Sequence, residues 1–313
     1  MTDARSEIDS ETDVDVFEQS EAEQAADLSQ RWASLPASSM LSLEDADELL
    51  RWRAASIIAI VGERNGGKTT LVTEIYERFL RGSFADAIFC HSLSLLGFEK
   101  KSFQSRAESG GDRPDTPRTS AQDGLLFFHL ALSDDSDLHR TDLLISERAG
   151  EVYREIRDTP ERAAEMIEVR KAAAVVFIID GERVAAPLKR AEAFASVRNI
   201  VRAMLDTENI APWAKIQLVT TKCDLLEGDA ASDAREALLQ FEGQIEKLLR
   251  GRFQITAFRT AARDPEGRIE PARGVAPLLR SWLTPPQMQV IEQPELMELS
   301  DEFDRFLLRR NVK

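Results

Sequence analysis

Apolar residues along this chain come in two kinds of run. Residues 56–61 (SIIAIV) and 173–179 (AAVVFII) are continuous, rich in β-branched side chains and bounded by glycine or polar residues, the pattern of strands buried on both faces. Residues 216–220 read as a third such strand, and shorter strand signals lie at 85–90, 125–132, 142–146 and 253–258. Between them the apolar period changes to three and four. Residues 69–80, 187–205, 233–249 and 275–283 predict amphipathic helices, and 160–171 a further one. Ser42, followed by Leu43, Glu44 and Asp45, predicts a capped helix running to Trp52. Strands alternating with helices predict an α/β fold in three layers, a mostly parallel sheet with helices on both faces. Residues 97–123 are polar and aperiodic, which predicts a long loop.

Charge divides the chain. The net charge of the 313 residues is −15, yet residues 1–50 alone hold 14 acidic side chains against two arginines, so the remainder is close to neutral. An acidic, Ser- and Gln-rich segment buries too little apolar surface to offset its ordering entropy, and residues 1 to about 30 are expected to be disordered. The expected organisation is an acidic tail with a short helix over 1–52, one folded domain over 53–284, and an amphipathic helical extension over 285–313. The longest purely apolar run, 172–179, is too short to span a bilayer, and the N-terminus carries no apolar signal stretch. Two cysteines and three histidines supply neither a disulfide framework nor a zinc site, and a cytoplasmic location is expected. Cys90 and His91 are adjacent but lack a third group, which favours core packing for the thiol and a surface position for the ring. Arg250, Arg252, Arg259, Arg263, Arg268, Arg273 and Arg280 form the one local basic excess. Acids interrupt it, so it reads as a solvated face and direct nucleic-acid binding is not expected.

Against that background one motif stands out. Residues 62–69, GERNGGKT, fit G-x-x-x-x-G-K-[ST] and lie directly between a buried strand and a helix. Gly62, Gly66 and Gly67 let backbone amides curl around phosphate oxygens, and the helix N-terminus adds partial positive charge. Lys68 would neutralise the β- and γ-phosphates, and the Thr69 hydroxyl would ligate Mg²⁺, with Thr70 following in the nucleotide-binding set. Farther along, the 216–220 strand runs into Thr221-Lys222-Cys223-Asp224. A carboxylate at Asp224 can accept from guanine N1 and its 2-amino group, neither of which adenine offers, and the Lys222 stem can cover the base. Thr260, Ala261 and Ala262 follow the next strand and match a turn whose backbone meets the guanine oxygen.

The order GERNGGKT, SERAG, TKCD, TAA resembles the translation-factor-related class of P-loop GTPases over about residues 54–284. The stretches LLGFEKKSFQSRAESG, RPDTPRTS and ERAGEVYRE resemble the bacterial double-GTPase family, whose members are thought to serve conflict or defence systems. The resemblance implies a three-layer P-loop NTPase domain that binds GTP with Mg²⁺, hydrolyses it to GDP and phosphate, and switches conformation for a protein effector. It departs from the class at two positions. The Mg²⁺-side acid, normally Asp in D-x-x-G, is Glu147, and the residue after Gly150, often a water-orienting Gln, is Glu151. A carboxylate at 151 faces repulsion from the γ-phosphate, so slow intrinsic turnover is expected, and a hydrolysis-deficient GTP-binding module that recruits a partner when loaded is the alternative. Gly150 would still offer its amide to the γ-phosphate. The switch threonine that meets Mg²⁺ and the γ-phosphate is Thr119, or else Thr116. Asn65 stands where potassium-activated GTPases hold K⁺, or else serves a left-handed backbone. Arg64, Arg118 and Arg148 are candidate arginine fingers, and nucleotide-dependent dimerisation would suit a slow enzyme.

Overall fold

In parallel α/β domains the strand ends determine where chemistry can sit, so the sheet comes first. The computed structural model describes residues 39–105, 124–134, 139–262 and 270–285. Strand β1 (Ala55–Val61) is central. It pairs in parallel with β4 (Arg140–Glu147) on one side and β5 (Ala174–Asp180) on the other. Beyond β5, β6 (Lys215–Thr221) and β7 (Ile255–Arg259) continue in parallel. Beyond β4, β3 (Leu126–Asp134) and β2 (Ala87–His91) are antiparallel additions, giving the order β2-β3-β4-β1-β5-β6-β7. The seven strands fit the expected α/β architecture and its mostly parallel sheet.

Period-2 alternation in β1 supplies both cores. Ile57, Ala59 and Val61 join one buried cluster, whereas Ile58 and Ile60 join the other. On the first face lie α1 (Leu43–Trp52), α4 (Gly150–Asp158), the short α5 (Ile167–Arg170) and α6 (Gly181–Ala185), then α7 (Pro187–Asp206) and α8 (Ser232–Leu249). Phe194 of α7 stacks on Phe241 of α8 with ring centroids 4.5 Å apart. On the second face lie α2 (Lys68–Phe79), α3 (Leu95–Ser105) and α9 (Val275–Leu283), packed through Leu71, Ile75, Phe98, Leu278 and Trp282.

Helix α1 starts as its sequence requires: Ser42 and Asp45 complete a reciprocal capping box. Just before it, Leu41 exchanges two 2.8 Å backbone hydrogen bonds with Phe127.

Three expectations are corrected. Residues 95–105, placed mostly in the long loop, form α3, because Phe98 and Ser102 turn one buried face to the sheet while Phe98 stacks on Tyr76. The single helix over 160–171 is a 3₁₀ turn (Pro160–Glu165) and then α5, broken at Met166. The Asn209 amide donates at 2.8 Å to both Ala163 O and Met166 O, which also accept backbone N–H groups, and so pins the break from the side. Cys90, expected in the core, is exposed on edge strand β2, where a bulge between Phe89 and His91 disturbs the alternation. Residues 1–38 of the expected tail and all of the C-terminal extension except residue 285 lie outside the described residues.

Candidate nucleotide site

The C-terminal ends of β1, β5 and β6 converge on one edge, and each carries a loop of the site. The loop after β1 spans residues 62–67 and enters α2 through Gly67, whose φ of 85° is left-handed and suits glycine. Asn65 also adopts a left-handed φ, 61°, the conformation for which Asn is the tolerated non-glycine residue. Lys68 lies inside the loop it follows: its Nζ donates to Gly62 O at 2.8 Å and Glu63 O at 3.1 Å and sits 5.6 Å from the Tyr153 ring centroid. Burial pulls the ammonium pKa down, opposed by the charges of Glu147, Glu151 and Glu63.

Glu147 closes β4, and its buried carboxylate accepts a 2.6 Å hydrogen bond from the Thr69 hydroxyl, 78 residues away in sequence. The end of β4 and the first turn of α2 are thus tied together directly behind the loop. Thr70 follows in the first turn of α2, its carbonyl accepting from the Thr73 hydroxyl. Gly150 opens α4 against the phosphate loop. A Cβ on it would lie 2.2 Å from Arg64 N and 2.5 Å from Arg64 Cα, so only glycine permits this approach. Glu151 is next, with its Oε1 3.9 Å from Arg64 Nε.

Loop and sheet are tied again at the end of β6. The Thr221 hydroxyl donates to Gly66 O at 2.7 Å. Lys222, with φ of 50°, donates from Nζ to Asn65 O at 3.0 Å and pairs with Asp180 at 3.1 Å and Glu182 at 2.7 Å. Burial lowers its pKa, but the two acids outweigh that and leave it raised. Asp224 lies in the 3₁₀ turn that follows. Thr260 N donates to Thr220 O at 2.8 Å and Cys223 N to Thr260 O at 3.1 Å, which sets the 260–262 turn beside the Asp224 loop.

The structure thus brings together Gly62, Asn65, Gly66, Gly67, Lys68, Thr69, Thr70, Glu147, Gly150, Glu151, Thr221, Lys222, Asp224 and Thr260 to Ala262. Thr116, Thr119 and Arg118 lie outside the described residues. Arg148 does not join the group: its guanidinium makes two bonds, 2.7 and 3.0 Å, to the buried carboxylate of Glu168, which holds it in the first-face core. Arg250, Arg259, Arg273 and Arg280 each pair with an acid, while Arg263 and Arg268 lie outside the described residues.

Sequence reasoning missed Glu63, an unspecified position of the phosphate-loop pattern. Its carboxylate accepts from Arg183 at 2.8 Å, Arg157 at 3.1 Å and Ser196 at 2.6 Å. Burial opposes its ionisation, yet these three donors hold its pKa below the usual carboxylate range. Only its charge, unusual inside a glycine-rich loop, could have drawn notice. Asp180 and Glu182, the counter-charges of Lys222, were missed for a different reason: no spacing rule links them to it.

Among the described residues no three His, Cys, Asp or Glu side chains cluster as a self-contained metal site, and no helix is long and apolar enough to cross a membrane.

Comparison with known proteins bears directly on this arrangement. The model of the family described as Double-GTPase 2 matches residues 56–283, and the chain belongs to that family. No curated protein matches the sequence. Among solved structures, the signal recognition particle receptor SRb-GTP/SRX complex from Chaetomium thermophilum is similar at 14% identity, with a TM-score of 0.42, over 74% of this chain and 96% of that one. The Ski7 GTPase-like domain of S. cerevisiae, bound to GDP and inorganic phosphate, is similar at 13% identity and a TM-score of 0.43, over 79% of this chain and 53% of that one. Elongation factor SelB of Methanococcus maripaludis matches at 14% identity and a TM-score of 0.34, over 75% of this chain and 35% of that one.

Proposed function

We propose that this Double-GTPase 2 protein binds GTP with Mg²⁺ and hydrolyses it to GDP and phosphate by in-line attack of water, its output being a conformational change read by a protein effector. The observation that supports the reading is the 2.6 Å contact between the Thr69 hydroxyl and the buried Glu147 carboxylate, which brings two hard oxygens together beside the phosphate loop. Those two oxygens fit a Mg²⁺ ion that completes its shell with phosphate and water, and such an ion would neutralise charge building on the phosphates. Lys68 and the loop amides would hold the β- and γ-phosphates, and the Gly150 amide would meet the γ-phosphate. Asp224 would accept from guanine N1 and its 2-amino group while Lys222 covers the base and the 260–262 turn meets the guanine oxygen. Phosphoryl transfer needs positioning and charge neutralisation more than covalent help, which these groups supply. Thr119, or Thr116, would complete the γ-phosphate contacts. Work for a bacterial conflict or defence system, and pairing of two G domains around nucleotide, belong to the same proposal.

Glu151 supports a second reading. A carboxylate this close to the phosphate loop disfavours fast attack on the γ-phosphate, which suits a module that holds GTP and recruits a partner. Phosphate release with saturating GTP or ATP, in KCl and separately in NaCl, separates the readings. Turnover of GTP alone supports the enzyme, and a rise in KCl assigns Asn65 a K⁺. Tight GTP binding without turnover favours the recruiter. Exchange of Asp224 for Asn should move preference from guanine towards xanthine nucleotides, and unchanged specificity would remove the base-recognition assignment.

A further inference from the structure

Two acid–base pairs of opposite polarity join the phosphate loop to α4. Glu63 of the loop meets Arg157 of the helix at 3.1 Å, and Arg64 of the loop faces Glu151 of the helix at 3.9 Å. The two differ in how firmly they are held. Glu63 is fixed by three donors from three elements: Arg157 in α4, Arg183 in α6 and Ser196 in α7. Arg64 is held by its backbone, wedged against Gly150, while its Nε is buried and has no hydrogen-bond partner among the described residues. The 3.9 Å approach to Glu151 is beyond hydrogen-bond range, and both side chains are well exposed, 37% and 42%, so the attraction is weak and screened. The Glu151 charge also acts on Lys68, opposing the effect of burial on its ammonium.

We propose that Arg64 is the residue by which this site tells a nucleoside triphosphate from a diphosphate, its guanidinium exchanging the Glu151 carboxylate for the γ-phosphate. The inference rests on the GTP-binding reading above and deepens it. A terminal phosphate carries more charge than a carboxylate and accepts the planar guanidinium fork in a two-point contact, so it wins the competition for a loosely held arginine. A diphosphate presents no group there and leaves Arg64 with Glu151. The Glu63–Arg157 pair and the Gly150 packing stay in place in both cases, so the exchange is confined to the Arg64 and Glu151 side chains. Glu151 thereby changes from a counter-ion into a carboxylate free to turn toward, or away from, the attacking water.

The test is equilibrium binding of GDP and of a non-hydrolysable GTP analogue to the full chain with Mg²⁺. Measurements cover the wild type, Arg64→Gln, Arg64→Lys and Glu151→Gln, with thermal melting to verify folding. Arg64→Gln should weaken the triphosphate analogue at least tenfold while leaving GDP within about twofold, a selective loss of tri- over diphosphate preference. Arg64→Lys should lose part of that preference, because an ammonium keeps the charge but not the fork. Glu151→Gln should tighten the triphosphate several-fold by removing the competitor. Equal effects on both nucleotides, or none, would overturn the role of Arg64 while leaving the GTP site standing. Failure of the wild type to bind either guanine nucleotide would overturn this proposal and the GTP-binding reading together.

Discussion

The Thr221 hydroxyl joins the end of β6 to the loop after β1. The residue ends β6, where Asp224 will follow, and donates to a carbonyl of the phosphate loop at 2.7 Å in a buried setting. Replacing it with Val keeps the shape and removes the donor, leaving Gly66 O without that bond. A buried neutral hydrogen bond of this kind is worth about 1 kcal/mol, so GTP affinity measured by calorimetry should fall by about five- to tenfold. Asp142 carries a different sensitivity. Burial opposes its charge, but His129 at 2.9 Å and Arg140 at 2.7 and 2.9 Å hold its pKa at about 2. Its native pKa lies below the ordinary carboxylate value, so its stabilising share is complete above about pH 4 and is lost as pH falls toward 2. Urea unfolding at pH 6 and pH 3 should show a larger drop in stability for the wild type than for Asp142→Asn, the variant being weaker already at pH 6. At this scale the 62–69 and 221–224 loops were legible as motifs because each directly follows a continuous apolar strand. Glu63, Asp180 and the Asp142–His129 pair were not, because partners far apart in sequence meet only once the sheet is built.

Elements were legible in proportion to their burial. β1, β5 and β6 are buried on both faces and announce themselves as continuous apolar runs, and α7 and α8 carry enough apolar turns to show their period. Helix α3 hides because its buried face uses Phe98 and Ser102 while Leu96 and Phe103 remain exposed, so polarity and position do not correlate. Helix α4 hides for a related reason: it is short and charged, and its buried residues are Gly150, Tyr153 and Ile156. What α4 lacks in apolar surface it makes up in fixed contacts, the Tyr153 hydroxyl donating to Ile60 O at 3.0 Å and Gly150 lying against the loop. That arrangement makes Gly150 the position where a single methyl should uncouple helix from loop. Gly150→Ala must move either Arg64 or the start of α4. The expected result is a single-turnover GTP hydrolysis rate at least tenfold below wild type with Asp224-dependent base preference retained. An unchanged rate would mean that the contact is not needed for catalysis.

At the scale of the whole molecule, the order of strands links the start of the described chain to the site. Leu41 bridges Phe127 on the outer edge of β3, where β2 no longer pairs; Leu126 lies opposite Glu147 across the β3–β4 ladder. Leu41 is fully buried in the first-face cluster with Phe127 and Leu144, so its side chain holds the N-terminal approach to α1 against the strand beside the one that ends in Glu147. Truncation to alanine removes a buried isobutyl group and leaves a cavity that neighbouring strands cannot fill, at a cost of about 2–5 kcal/mol. The backbone hydrogen bonds to Phe127 need no side chain and should survive, so α1 is expected to stay docked. Chemical denaturation of Leu41→Ala should therefore show a lower midpoint with an unchanged slope. Its GTP affinity measured well below that midpoint should match wild type, because β4 holds Glu147 through its pairing with β1 on the other side. A loss of affinity in step with the loss of stability would instead mean that the β3 edge and the nucleotide site open as one unit, and that whatever binds at this edge could regulate the site through the sheet.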